Sequence, residues 1–305
     1  MNEPKVVETT YVQAFGKSSM WVPANSTPAE LKRWKKINDT QFVPMPKSEK
    51  EEPSRWRAFD RERRRSIDEL CGDADPRFRP AAGLERSLRE YNPPWWPVDR
   101  PLVPLLNAVW AHGAQTGGCC AGHSDGSAPI FGIFGRTGHV LRMVARLRSV
   151  LSLYRLDLSC RPTSTACSAT LYWGYQRRQY SKSDLAALDA MALRAAARLG
   201  HGPSDRIPAD LAMNHRFLRR TIAALRPTGR PRPERVELCE HMPGLGAKHE
   251  RWSVHLELAR LWHADVSAPT LEALRRALKA WERKPHSSET GPRDSVGERR
   301  QVRTK

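Results

Sequence analysis

The sequence predicts an α+β fold in which an antiparallel or mixed sheet has helices packed on one face. Two observations support this class. Amphipathic segments with apolar residues every three or four positions recur along the chain, and short apolar strands lie between them in pairs. Over residues 101–200 the predicted order is α-β-β-α-β-β-α. Strands that follow one another in pairs favour antiparallel hairpins over the single-strand crossovers of a doubly wound parallel sheet.

The first core helix is predicted to begin at Pro101 and to stop before Gly113. Its apolar side consists of Leu102, Leu105, Leu106, Val109 and Trp110. The segments predicted after it are strands at 114–120 and 130–134, a helix at 138–155, strands at 156–160 and 166–175, and helices at 184–199 and 208–226. A polar loop at 122–127 separates the first two strands.

Composition divides the chain into four parts. Residues 1–100 form a basic, partly disordered extension of helices and loops, with Thr27-Pro28-Ala29-Glu30 as a helix-capping box. Residues 101–226 are the α+β core. Residues 234–283 form a β-β-α unit, with strands at 235–239 and 251–261, that either extends the core or forms a small second lobe. Residues 284–305 are predicted to be a disordered basic tail because they are polar and lack periodicity.

The charge of the chain points to a polyanionic partner. Fifty-one Lys and Arg residues against 33 Asp and Glu residues give a net charge of +18. Nucleic acid is the first candidate, and an anionic membrane surface is the second. An arginine-rich composition without any anionic ligand is the alternative. The arginines expected to contact phosphates are Arg136, Arg142, Arg146, Arg216, Arg219 and Arg220.

The six cysteines do not form the spacing of a secreted disulfide framework. The first residues lack the apolar stretch of a secretory signal, and no apolar run is long enough to span a membrane. A reducing cytoplasm is therefore the expected location.

The stretch from Thr116 to His123, with the sequence TGGCCAGH, concentrates thiols, glycines and an imidazole. Three chemistries are open. The first is zinc binding, because Cys120-x-x-His123 places a thiolate and an imidazole at metal-ligand spacing; the candidate ligands are Cys119, Cys120, His123, Cys160 and Cys167. The second is an enzyme with Cys120 as nucleophile, His123 as base and Asp125 as orienting carboxylate. The third is anion binding by the glycine backbone, with Arg136 close behind.

The alternative is that the cysteines pack as small apolar side chains and that the glycines only permit the turn. His255 and His263 raise a similar question further along the chain. With Glu257 between them, they suit either acid–base chemistry or a solvated strand face.

The run Leu106-Asn107, Gly113, Thr116, Cys119-Cys120, Gly122-His123 and Pro129-Ile130 resembles a pattern in small uncharacterised bacterial and phage proteins. In those proteins a helix ending in L-N-x-x-G leads to T-x-x-C-C-x-G-H and then to a P-x-I strand. The resemblance covers residues 102–135 and implies a shared α-β-β unit of phage or mobile-element origin, without an assigned activity. The chain departs from the pattern at Gly118, where serine is more usual.

A further alternative is a scaffold subunit of a larger assembly. Ten tryptophans are present, and Trp21, Trp95 and Trp96 lie in segments with little regular structure. Aromatic residues in such segments are typical anchors of protein interfaces. The sequence thus leaves three classes of function open: a nucleic-acid-binding protein, a Cys/His-dependent or zinc-dependent enzyme, and a scaffold.

Overall fold

The structure is a computed structural model. It describes residues 4–13, 21–23, 26–32, 50–90, 98–124, 128–162, 164–174, 179–225, 232–242, 251–259 and 262–283. Its strands are β1 (Lys5–Gln13), β2 (Trp21–Pro23), β3 (Gln115–Thr116), β4 (Ile130–Arg136), β5 (Leu153–Cys160), β6 (Ala166–Trp173), β7 (Arg235–His241), β8 (Trp252–Ala259) and β9 (Trp262–Ala268). Its helices are α1 (Pro53–Cys71), α2 (Ala82–Glu90), α3 (Val103–Ala111), α4 (Thr137–Arg148), α5 (Lys182–Gly200), α6 (Ala209–Ala224) and α7 (Leu271–Arg283).

The strands form one antiparallel sheet in the order β2-β1-β9-β8-β7-β5-β6-β4-β3. One row across its centre pairs Leu158 with Leu238, Leu238 with Val254, and Val254 with Val266. These side chains share one hydrophobic cluster with residues of α3 to α7. Because side chains alternate between the two faces of a sheet, the neighbouring positions place polar residues on the opposite face. The predicted α+β class, with an antiparallel sheet and helices on one face, is confirmed.

The N-terminal part differs from the predicted helical extension, because its first strand belongs to the central sheet. The sequence indicates only a short strand around Tyr11–Phe15, whereas β1 begins at Lys5 and pairs with β9 from Lys5 to Thr10. Val6 and Val7 are exposed, at 41% and 55%. This segment therefore lacks the alternation of apolar and polar residues by which a half-buried strand is recognised in a sequence. The capping box is present: Thr27 N–H donates to the Glu30 carboxylate, and Glu30 N–H donates to Thr27 Oγ1.

The C-terminal unit extends the sheet, because β7 pairs with β5 of the core. Its predicted second strand at 251–261 corresponds to β8, and the structure adds a third strand, β9, which pairs with β8 and was not predicted. Helix α7 packs its Leu274, Leu278 and Trp281 against this end of the sheet. The predicted tail at 284–305 lies outside the described residues. None of the described helices is both long and apolar enough to cross a bilayer.

Candidate functional site

The loop that contains both cysteines is shaped by close contact with β4. After β3, the Gly117 N–H donates to the Gly132 carbonyl at 3.1 Å, and a Cβ built on Gly132 would lie only 1.9 Å from the Gly117 oxygen. Cys120 then pairs with Ile130 through two backbone hydrogen bonds of 2.9 Å. Gly122 adopts a φ of 91°, which favours glycine and turns the chain toward His123.

The loop brings Cys120 and His123 together with Asp99, a residue that the sequence did not single out. One ligand atom of each of the three residues lies within 4.8 Å of the others. His123 Nε2 lies 3.9 Å from Asp99 Oδ2, which is too long for a hydrogen bond. The Gly122 N–H donates to Cys120 Sγ at 3.3 Å. The three side chains thus converge without closing into a hydrogen-bonded catalytic triad.

Several contacts position Asp99 beside this loop. Its carboxylate accepts a 2.7 Å hydrogen bond from the Ala121 N–H, and its carbonyl accepts one from the Leu102 N–H at 2.9 Å. The next residue, Arg100, pairs with Asp73 and lies over the Phe78 ring, 3.9 Å from its centroid. Asp99 is therefore held from both sides. On α5, burial and the charge of Asp99 raise the pKa of the Asp189 carboxyl, so a second carboxyl group lies near this site.

The structure does not bring the other predicted ligands to Cys120 and His123. Cys119 packs against the hydrophobic cluster, and burial raises the pKa of its thiol to about 12. Cys160 and Cys167 pair with each other at the opposite end of the sheet. Cys167 also pairs with Gly135, five positions after Ile130 on β4, or about 17 Å along an antiparallel strand. A single ion cannot bridge that distance. Asp125 lies outside the described residues.

The six arginines chosen from the sequence fall into two groups. Arg146 and Arg219 form hydrogen bonds with backbone carbonyl groups. Arg146 donates to the carbonyls of Gly202 and Pro203, and Arg219 Nη1 donates to the Ser164 carbonyl at 2.9 Å. Arg136, Arg216 and Arg220 are exposed, and Arg142 is half-buried along α4. Among the described residues, none of these four arginines makes a side-chain ion pair.

Two further arginines, which the sequence did not single out, lie at the same end of the sheet. Arg161 is exposed and begins the turn between β5 and β6, directly after Cys160. Arg235 begins β7 next to Val236, the partner of Cys160, and it bonds Ser159 and Glu237. The turn is also bordered by Arg136, which pairs with Ala166, and by Arg219 from α6. We call Arg136, Arg161, Arg216, Arg219, Arg220 and Arg235 the turn cluster.

The polar face of the sheet holds a hydrogen-bonded network. Arg155 binds the buried carboxylate of Asp157 at 2.7 Å and lies over the Tyr172 ring. Asp157 also forms a group with Glu237 and Cys239 whose ligand atoms lie within 4.8 Å of one another. Burial and the nearby Asp157 raise the pKa of Glu237, and burial likewise raises that of the Cys239 thiol. With Arg155 already balancing Asp157 and a neutral thiol beside it, this group is better suited to holding the strands together than to binding a cation.

His255 and His263, considered above as an acid–base pair, belong to the same face. His255 Nδ1 lies 2.7 Å from Asp265 Oδ1, and His255 Nε2 lies 2.8 Å from His263 Nδ1. Burial opposes the charge on His255, but the hydrogen bond to Asp265 and the negative charges of Asp265 and Glu237 together outweigh it and raise the pKa of His255. Burial and the charge of His255 lower the pKa of His263. The pair therefore holds its first proton on His255.

Replacing Asp265 by asparagine is expected to lower the pKa of His255. A raised histidine pKa stabilises the fold fully below the unfolded value of about 6.5, and this stabilisation is lost as the pH rises through the folded value. The stability difference between wild type and Asp265→Asn should thus be larger at pH 6 than at pH 9. NMR titration of the imidazole signals and urea unfolding at both pH values measure the two effects. Asp205→Asn, an exposed change, is the control; equal effects of both variants would contradict the assignment.

Comparisons with protein-family models, curated proteins and solved structures return no match to this chain. The protein is therefore classified by its fold. In the part of the chain that the structure describes, it is an α+β protein with a nine-stranded antiparallel sheet.

Proposed function

We propose that the protein binds nucleic acid and that the turn cluster contacts the phosphate backbone. The observation that supports this most directly is the convergence of arginines from β4, the β5–β6 turn, α6 and β7 on one end of the sheet. The net charge of +18 supplies the long-range attraction that such a partner requires. A cytoplasmic location would accompany this function.

The turn cluster contains some guanidinium groups that are held by hydrogen bonds within the protein and others that are exposed. This combination suits the binding of a phosphate backbone. Arg219 anchors the turn through the Ser164 carbonyl, and Arg235 is held by Ser159 and Glu237. Arg216 and Arg220 are four residues apart on α6 and point to the same side, because such positions are neighbours on a helix. Arg136, Arg161, Arg216 and Arg220 are exposed, so a phosphate chain reaches them without opening the fold.

The alternative use of arginine in this chain is seen in α1. There, Arg55, Arg64 and Arg65 pair with acidic residues of the same segment. Exposed pairs of this kind neutralise one another and leave little net field. Among the described residues, the four exposed arginines of the turn cluster make no such ion pair, and for this reason we assign phosphate contacts to them and not to every basic helix.

The four-residue variant Arg136→Ala, Arg161→Ala, Arg216→Ala and Arg220→Ala is expected to weaken binding to random-sequence duplex DNA. Each phosphate contact contributes a slope of about 0.9 to the dependence of log K on log salt. Loss of all four contacts should reduce the slope by about 3.6. Fluorescence anisotropy between low and moderate salt, with duplex DNA, single-stranded DNA and RNA in parallel, gives both the slope and the preferred nucleic acid.

The matched control removes four exposed arginines elsewhere: Arg194, Arg198, Arg275 and Arg283, on α5 and α7. Both variants have the same net charge, so the control separates a local surface from a general charge effect. Equal losses in the two variants would refute the assignment to the turn cluster. A wild-type protein that binds none of the three nucleic acids at low salt would refute the function itself.

A further inference from the structure

We infer that Asp99, Cys120 and His123 bind a divalent transition metal ion of the zinc class at the surface of the protein. This site is independent of the turn cluster, which lies at the other end of β4. The three residues supply a thiolate, an imidazole and a carboxylate, and zinc accepts all three as ligands. A carboxylate-only group would favour magnesium or calcium instead; the sulfur ligand selects a softer metal.

The distances fit an ion with short bonds. Zinc bonds of about 2.0–2.3 Å in a tetrahedron place ligand atoms roughly 3.3–3.8 Å apart. The His123 nitrogen and the Asp99 oxygen are 3.9 Å apart, and the ligand atoms of the group all lie within 4.8 Å. Side-chain movements of about 1 Å are therefore sufficient to close the group around one ion. A hydrogen-bonded arrangement would instead bring the atoms to about 3 Å.

The surrounding backbone orients the ligands as a second shell does in metal sites. Gly122 N–H donates to Cys120 Sγ, and a donor to sulfur stabilises the thiolate over the thiol. Ala121 N–H donates to the Asp99 carboxylate at 2.7 Å and fixes its direction. The same short loop thus supplies two of the ligands and the hydrogen bonds that hold the sulfur and the third ligand.

The site is open on one side. The side chain of His123 is 55% exposed and that of Asp99 is 28% exposed. Three protein ligands leave one position of a tetrahedron for water or a small ligand, which is the arrangement of catalytic zinc sites, whereas structural sites have four protein ligands. The fourth coordination position of the inferred ion is consequently open to water or to a small ligand.

Metal reconstitution tests this inference on the full chain. Protein purified without a histidine tag and stripped with a chelator is titrated with cobalt(II), which replaces zinc and reports its ligands by absorption. One equivalent of cobalt is expected to bind, with a sulfur-to-cobalt charge-transfer band in the near ultraviolet. Cys120→Ser should abolish the band, and Asp99→Asn and His123→Ala should each weaken binding by about tenfold or more. Cys119→Ser is the matched control and should retain the band.

A second measurement uses the wild-type protein and so does not depend on whether the variants fold. Alkylation of each cysteine is followed by mass spectrometry with and without zinc. Zinc should protect Cys120 and leave the alkylation rate of Cys71 unchanged. Substoichiometric cobalt, a charge-transfer band that persists in Cys120→Ser, or equal alkylation of Cys120 with and without zinc would each overturn the inference. None of these results bears on nucleic-acid binding by the turn cluster.

Discussion

Gly132→Ala is expected to lower the free energy of unfolding by about 3 kcal/mol. An added Cβ would lie 1.9 Å from the Gly117 carbonyl oxygen and 3.1 Å from its carbon. Both are backbone atoms, so no side-chain rotation relieves the overlap. Phe131 and Ile133 on either side of Gly132 are fully buried, which prevents β4 from moving away. The close contact between Gly117 in the cysteine loop and Gly132 in β4 must then open.

Urea unfolding measures this effect as a fall in the transition midpoint at an unchanged slope. Gly83→Ala is the matched control, since nothing lies within 4 Å of a Cβ built there and Gly83 is within α2. Alanine at that position should leave stability equal or slightly higher, because it is the better helix former. If Gly132→Ala lowered the free energy of unfolding by no more than about 0.5 kcal/mol, as exposed substitutions do, the close contact between Gly117 and Gly132 would be disproved.

Loss of the contact between Gly117 and Gly132 is also expected to affect the inferred metal site. Gly117 precedes Cys120 by three residues, and Cys120 is fixed by its pairing with Ile130. Displacement of the loop would separate Cys120 from Asp99, which belongs to a different segment. Gly132→Ala should therefore weaken cobalt binding, although Gly132 is not a ligand. The glycines of this loop thus have two effects, on stability and on the position of the ligands.

The helices and most core strands were predictable because burial leaves periodic patterns. Helix α4 has Val140, Leu141, Val144 and Leu147 on its buried side, as expected from the sequence. β1 was harder to predict because it lies next to the short strand β2 near the sheet edge, and its exposed valines do not alternate with polar residues. Strand β9 was not predicted, because no glycine, proline or asparagine at Arg260 and Leu261 marks a turn at the end of the strand predicted at 251–261.

The candidate sites were predictable only in part, because their members come from distant segments. The spacing of Cys120 and His123 marks them as a pair, but Asp99 lies 21 positions before Cys120 in a proline-rich stretch. Its role appears only through the Ala121 hydrogen bond. The register of β5 with β7, which pairs Cys160 with Val236, brings Arg161 and Arg235 to the same end of the sheet, and a sequence pattern does not reveal this register. Cys160 and Cys167 show the converse: their pairing in a hairpin was predictable, but their distance from Cys120 was not.

Arg63→Ala is expected to lower the stability of the N-terminal helices by about 2 kcal/mol. The side chain of Arg63 is 5% exposed, and its guanidinium donates to the Leu88 carbonyl at 2.6 Å and pairs with Asp60. Leu88 lies in the last turn of α2, whose carbonyls have no partner within the helix. Arg63 therefore caps α2 while it holds α1. Complete burial of such a pair makes its disruption cost about 3–5 kcal/mol, but Asp60 is 26% exposed and recovers some hydration.

Arg64→Ala provides a control with the same acidic partner. Arg64 also binds Asp60, at 2.7 Å, but its side chain is 63% exposed, and exposed pairs contribute only about 0.2–1 kcal/mol. Phe59, Ile67 and Leu70 of α1 are buried but lie outside the main hydrophobic cluster. Loss of Arg63 should therefore open α1 before the sheet unfolds. Hydrogen exchange should show faster exchange in α1 and α2 with unchanged protection in β5 and β6; equal exchange in the two variants would show that burial of Arg63 does not matter.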